Sequence, residues 1–274
     1  MPVHLTAADA RDFQQCGVAF IRHALTPGEV DVLRCGIDGD YRNSNIDPNC
    51  AGQGGRKGTK VFEDFPAYRN HPEYWQIAFQ SELPRIAAQL TGSRTIRLHH
   101  VQVHVDVPKD EVRTPWHSDE LFFNVDGNQN VSIFVAVDPI PAGSAEFVLG
   151  SNKWPATMPR FLRDMFAKDL PVSAVPEPPN IETARNEFPV VSWAMEPGDC
   201  VVFSLHTLHF LRSSTALRRG LSVRYMGDDA VYARRPWMTF PAFPELERDN
   251  EGMEVGAPMR HSVYPIVYTT ETKL

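Results

Sequence analysis

An all-β sandwich or barrel behind a helical N-terminal part is the fold class that this chain predicts, and three observations carry it. Between residues 94 and 226 several runs are rich in Val, Ile, Phe and Tyr and are punctuated by Gly, Pro and Asn. That spacing fits hairpin-linked strands better than alternating strand and helix units. The first 93 residues carry helical patterns instead. The 274 residues with 42% hydrophobic content suffice to bury one large core, so a single domain over 1–274 is expected.

Thr6 caps a helical run that Gly17 ends, and Val18–Arg22 is a short β-rich piece. Thr26, Pro27 and Glu29 then open a second helix expected to reach about Gly36. Residues 39–61 are full of Gly, Asn, Asp and Pro and read as a long loop. It carries Arg56, Lys57 and Lys60, a basic cluster in an acidic chain that suits an anionic group on a substrate, or else a solvated loop tip. From Pro72 to Leu90 the apolar residues recur at helical spacing, with Pro84 as a break and Gly92 closing the run.

Arg94–Asp106 alternates with period two, but its apolar phase slips at His99-His100, which a β-bulge would reconcile. Beyond the slip, Val101, Val103 and Val105 take one face and His100, Gln102, His104 and Asp106 the other. Further strands are expected at 130–138, 147–149, 190–195, 200–204 and 219–225. Residues 153–192, with seven prolines, interrupt the series as a lid-like insertion, and 227–274 reads as an extended wrap.

The formal net charge of −7 argues against nucleic acid or an anionic membrane as the main partner. Four cysteines without CxxC spacing indicate neither a zinc knuckle nor a disulfide scaffold. No apolar run reaches the roughly 18 residues of a membrane span, and no signal peptide is evident, so a cytoplasmic protein is expected.

The chemistry centres on Thr114-Pro115-Trp116-His117-Ser118-Asp119. If this segment is a strand, His117 and Asp119 share a face ~7 Å apart and can converge on one ion. A histidine and a carboxylate are two thirds of the facial triad that binds Fe(II) and leaves positions open. His206 and His209 are the candidates for the third ligand, and spacing does not choose between them.

Gly198-Asp199 through Phe203, Thr207-Leu208-His209 and Arg218 through Tyr225 resemble the C-terminal signature of the phytanoyl-CoA dioxygenase family of Fe(II)/2-oxoglutarate oxygenases. Thr114–Asp119, Val125–Gly127 and Glu146–Ser151 resemble its central signature, and Phe13–Asp38 its opening. The resemblance implies a double-stranded β-helix, the jelly-roll, cupin-like barrel, mainly β with flanking helices. It implies Fe(II), 2-oxoglutarate and O2 as cofactor and cosubstrates, with succinate and carbon dioxide released. It assigns the metal to His117, Asp119 and His209, and leaves His206 as a supporting or packing residue.

A guanidinium suits the distal carboxylate of 2-oxoglutarate, because two parallel N–H bonds match its geometry. The family pattern favours Arg218 over Arg219 for this, with Ser222 beside it and Gln102 and Phe134 completing the cosubstrate site. Phe123, Asn124, His104 and Arg113 are the expected substrate contacts. Asp106, Phe134 and Asn152 depart from the family's usual Lys, Trp and His. Related halogenases replace the carboxylate by a small residue, so the intact Asp119 implies hydroxylation or another oxidation. The substrate class expected is a small to medium polar metabolite, anionic where Arg56, Lys57 and Lys60 contact it, taken by a monomer or homo-oligomer. A cupin-like metal-binding protein or zinc hydrolase is the rival reading, against which the arginine after the third ligand argues.

Overall fold

The computed structural model describes residues 3–43, 60–62, 71–106, 114–167, 174–212, 217–237, 239, 241, 243, 245–248 and 252–270. Arg56, Lys57 and Arg113 lie outside these, as does the side chain of Lys60.

Helix α1 (Ala7–Cys16) starts at a capping box: Thr6 Oγ1 accepts from the Asp9 backbone N–H, and the Asp9 carboxylate accepts from Thr6 N–H at 2.7 Å. Gly17, at φ 76°, ends it in the left-handed conformation that glycine adopts without penalty. Strand β1 (Val18–Ile21) follows, then α2 (Pro27–Asn43), which runs well past the Gly36 stop expected from sequence. The physical reason lies in packing: a Cβ on Gly36 would meet Glu73 Cβ at 3.0 Å and the Tyr74 ring at 3.2 Å. Gly36 therefore permits close approach of two helices and does not end one.

After β2 (Lys60–Phe62), helices α3 (Pro72–Gln80) and α4 (Leu83–Thr91) take the place of the expected broken run. Pro84 sits in the first turn of α4, where its missing N–H costs no hydrogen bond, and Gly92 caps that helix at φ 73°.

The remaining strands are β3 (Thr95–Asp106), β4 (Val125–Asp126), β5 (Val131–Ala136), β6 (Ala145–Val148), β7 (Val190–Val191), β8 (Cys200–Ser204), β9 (His209–Leu211), β10 (Arg218–Met226), β11 (Val231–Tyr232) and β12 (Ile266–Thr269). Short helices α5 (Arg160–Phe166) and α6 (Glu245–Arg248) lie between them. The major sheet has the order β1-β8-β5-β10-β3-β12, with β2 also on β3, and all its pairs are antiparallel. A smaller sheet has the order β7-β6-β9.

Period two then sorts the major sheet. Val101, Val103, Val105, Ile133, Val135, Val202, Leu221, Val223 and Tyr225 join the buried cluster with α1, α2, α3 and α4. Phe134, Ala136, Val201 and Phe203 face the other way and pack with Ala145 and Phe147 of the small sheet. This is the two-sheet architecture of the jelly-roll, β-rich with helices outside, although the hydrogen-bond ladders of the two sheets do not close into a barrel among the described residues. The interior between them holds the site.

The expected bulge is present. Arg224 pairs with His100 and Tyr225 with Leu98, so His99 is the extra residue. By contrast, the strand expected at Thr114–Asp119 is absent: His117 forms an isolated antiparallel bridge to His209, and Asp119, in a right-handed helical conformation, begins the 3-10 turn Glu120–Phe122. Pro115, which has no N–H to donate, sits inside that segment.

Candidate metal centre

His117 and His209 face each other across their bridge, with N–H···O bonds in both directions at 3.0 and 2.8 Å. Their rings lie 4.3 Å apart, centre to centre. In each, Nδ1 meets a backbone carbonyl: Pro115 O at 2.8 Å from His117 and Thr207 O at 2.9 Å from His209. A carbonyl only accepts, so each Nδ1 carries the proton and each Nε2 keeps its lone pair. Asp119 Oδ1 lies 3.7 Å from His117 Nε2 and 3.8 Å from His209 Nε2.

One donor atom from each of the three residues therefore lies within 4.8 Å of the others, a spacing and donor set that fits a divalent transition metal. Burial, with the neighbouring His117, lowers His209 to about 4, and it stays neutral as a ligand must. Burial alone would raise the Asp119 carboxyl, but the neighbouring His209 ring, the Arg224 guanidinium and the His117 ring together hold it below its ordinary value.

His206, the rival third ligand, is elsewhere. Its Nδ1 is ion-paired with Glu120 and its Nε2 bonds Gly127 O at 3.0 Å. Sequence spacing left two histidines open, and the bridge to His117 selects His209.

Strand β10 supplies the second group. Arg218, Gly220, Ser222 and Arg224 form its interior row, while Arg219 points out and pairs with Asp138 and Asp38, each at 2.7 Å. Of the two adjacent arginines, Arg218 is the one on the interior row. Arg218 is buried and donates to Arg212 O at 2.5 Å. Beside it on the ladder, Ser222 lies between Gln102 of β3 and Phe134 of β5, and its hydroxyl meets His104 Nε2 at 2.8 Å. The Phe134 ring stands edge-on to His104, and a Cβ on Gly220 would come within 2.7 Å of that ring.

His104, expected among the substrate contacts, thus belongs with Arg218, Ser222, Gln102 and Phe134. Burial and the charges of Arg224 and Arg218 lower it to about 3, leaving a neutral imidazole. Asn124 is held in a buried network: its Oδ1 accepts from His99 Nε2 at 3.0 Å and its amide donates to Tyr264 Oη at 2.9 Å. Since His99 Nε2 is the donor there, its Nδ1 accepts from His100 Nδ1 at 2.7 Å. Phe123 packs against both histidines.

Four supporting residues escaped sequence reasoning. Arg224 lies 3.5 Å from Asp119 Oδ2, on the same β10 row as Arg218, so strand parity held its signal. Arg235 donates to the carbonyls of Glu120, Phe123 and Val125, and Trp237 to Leu121 O at 2.8 Å, so the tail clamps the segment after Asp119. No local pattern announces such contacts. From the insertion, Glu182 accepts from Trp116 Nε1 at 2.9 Å, one residue before His117.

A family model described as phytanoyl-CoA dioxygenase matches residues 13–219. The chain belongs to the phytanoyl-CoA dioxygenase family. The match takes in the two imidazoles, Asp119 and Arg218. Among curated proteins none matches. Among solved structures, the non-heme α-ketoglutarate-dependent carbocyclase SnoK from nogalamycin biosynthesis superposes with TM-score 0.70 at 20% identity, covering 97% of this chain and 99% of SnoK. The epimerase SnoN from the same biosynthesis gives 0.70 at 19%, covering 97% of each. EctD from S. alaskensis, solved with 2-oxoglutarate and 5-hydroxyectoine, gives 0.64 at 15%, covering 93% of this chain and 85% of EctD. At these identities the likeness to the three is one of fold.

Proposed function

We propose that this family member is an Fe(II)- and 2-oxoglutarate-dependent oxygenase that hydroxylates a small to medium polar metabolite carrying an anionic group. The observation that carries the reading is the convergence of a half-buried His117 with buried Asp119 and His209 on the interior face that also bears Arg218. Family membership supports it, as do neighbours of the same fold solved with Fe3+ and α-ketoglutarate, in SnoN, and with 2-oxoglutarate, in EctD.

When bound, the iron with 2-oxoglutarate and O2 supplies an oxidant able to take hydrogen from a C–H bond, 2-oxoglutarate leaving as succinate and carbon dioxide. The chain's part is to hold and to exclude. His117 and His209 present fixed lone pairs because their Nδ1 protons are committed to backbone carbonyls. Arg218 offers a planar pair of donors to the distal carboxylate of the cosubstrate, with the Ser222 hydroxyl beside it. The neutral His104 adds no competing charge, and Phe134 walls that end against water. Phe122 and Phe123, buried close to the ligand histidine and Arg224, line the substrate side. The anionic substrate class rests on Arg56, Lys57 and Lys60, and hydroxylation on the intact Asp119.

The test is anaerobic titration of the apo protein with Fe(II) and 2-oxoglutarate. The weak visible charge-transfer band of the chelate is expected, and its absence from the wild-type protein would sink the reading. With substrate candidates, a product heavier by one oxygen supports hydroxylation. A dehydrogenated, cyclised or epimerised product would keep the oxygenase and overturn the outcome assigned to Asp119.

A further inference from the structure

The two oxygens of Asp119 have different surroundings. Oδ1 is the atom that approaches both imidazoles, at 3.7 and 3.8 Å. Oδ2 is buried, accepts no hydrogen bond from the described residues, and lies 3.5 Å from Arg224 Nη2. Both partners of this ion pair are more than nine-tenths buried, with side-chain exposures of 8% and 7%. Water therefore screens their attraction little.

Arg224 stands well apart from Arg218. Six residues of strand at ~3.3 Å each put its backbone roughly 20 Å along β10 from Arg218. Its Cα is pinned between Ser132 of β5 and His100 of β3. Its guanidinium lies over the Phe123 ring at 5.8 Å, a cation–π contact that fixes the plane of the fork. The side chain is thus positioned from the strand, from the aromatic face and from the carboxylate.

A carboxylate can ligate a metal through one oxygen or both. We propose that Arg224 is a positioning residue that holds Asp119 Oδ2 away from the metal, so that the carboxylate ligates through Oδ1 alone. The coordination position that Oδ2 would otherwise fill then stays open for cosubstrate and oxygen. The inference rests on the metal-centre reading above and assigns Arg224 no contact with reacting atoms.

Co(II), which is coloured and needs neither 2-oxoglutarate nor turnover, tests it. Wild type, Arg224→Met and Arg224→Lys are titrated with Co(II), and the affinity and the visible spectrum per bound ion at saturation are recorded, with circular dichroism of the apo proteins as the check on folding. Arg224→Met is expected to shift the Co(II) affinity by about tenfold or more. Its saturated spectrum should be less intense per ion than that of wild type, because a second carboxylate oxygen raises the coordination number. Arg224→Lys keeps the cation without the fork and should fall between the two. Affinities and saturated spectra that superimpose on wild type would overturn the proposal while leaving the metal centre standing. A wild-type protein that binds no Co(II) would overturn both. Should Arg224→Met fail to fold, Arg224→Lys decides alone, and an unchanged spectrum and affinity in it overturns the proposal.

Discussion

Arg218 and Arg219 are chain neighbours that end on opposite faces of one strand, and their alanine variants should report in different assays. Arg218→Ala is expected to raise the 2-oxoglutarate concentration needed for half-saturation by at least tenfold, because the interior loses its forked donor. Arg219→Ala should leave that value near wild type and lower stability by about 2 kcal/mol in urea unfolding, since it severs charged hydrogen bonds to Asp138 and Asp38. The opposite pattern would reverse the roles. A second pair separates the histidines. His209→Ala should lose stoichiometric iron by metal analysis, whereas His206→Ala should retain it, since His206 is committed to Glu120 and Gly127 O.

At this scale the sequence was informative wherever chemistry and parity coincided. His117 and Asp119 stand two residues apart, and the β10 row reads off by alternation. Family resemblance, and not spacing, singled out His209. The hydrogen bonds of Asn124 and His104 were not legible, because their partners, Tyr264 and Ser222, lie 140 and 118 residues away.

Strand β10 depends on Gly220 as well as on its arginines. A methyl there would come within 2.7 Å of Phe134 and 3.2 Å of Val135 O, so Gly220→Ala must push the ring toward His104 and Ser222. Expected is a severalfold weaker 2-oxoglutarate affinity by calorimetry, with Co(II) affinity close to wild type; equal losses in both would point to general disruption of the sheet. The elements themselves were legible where alternation or capping was strong, as in α1, β3, β8 and β10. The segment Thr114–Asp119 was not. A bridge one residue long leaves the same sequence trace as a strand, and Pro115 was the one local hint that no ladder runs through it. Gly36 misled in the other direction, because a glycine demanded by the contact with Glu73 and Tyr74 looks the same as one that ends a helix.

Across the whole molecule, the tail is tied to the site it encloses. Arg235 and Trp237 grip the turn after Asp119, and Tyr264 closes the Asn124 network. Composition could suggest a wrap but not its anchors. The same region carries a pH signature through His206. Burial alone would lower its pKa, but the hydrogen bond and charge of Glu120, aided by Gly127 O and Asp126, outweigh this and raise it above 6.5. A raised folded value means that the protonated pair stabilises the fold fully below pH 6.5, and that this share is lost as pH rises through the folded value. Wild type should therefore lose stability across that window relative to His206→Gln, as thermal melts at successive pH values would reveal. Parallel curves would refute a coupled pair. Among the described residues no helix is long and apolar enough to cross a membrane.

The bulge at His99 makes β3 behave as two half-strands spliced out of phase. Removing one residue from a central strand ordinarily inverts every side chain beyond the cut. Here excising His99 would instead bring Leu98 and Val101 into a single alternation, with Ile96 behind and Val103 and Val105 ahead. Both faces would keep their alternation, and the loss would be the imidazole that bonds Asn124 and His100 and packs on Phe123, Phe243 and Tyr264. Position 99 is thus a seam at which a change in length leaves the alternation in phase, and the extra residue brings a second histidine into the interior beside His100.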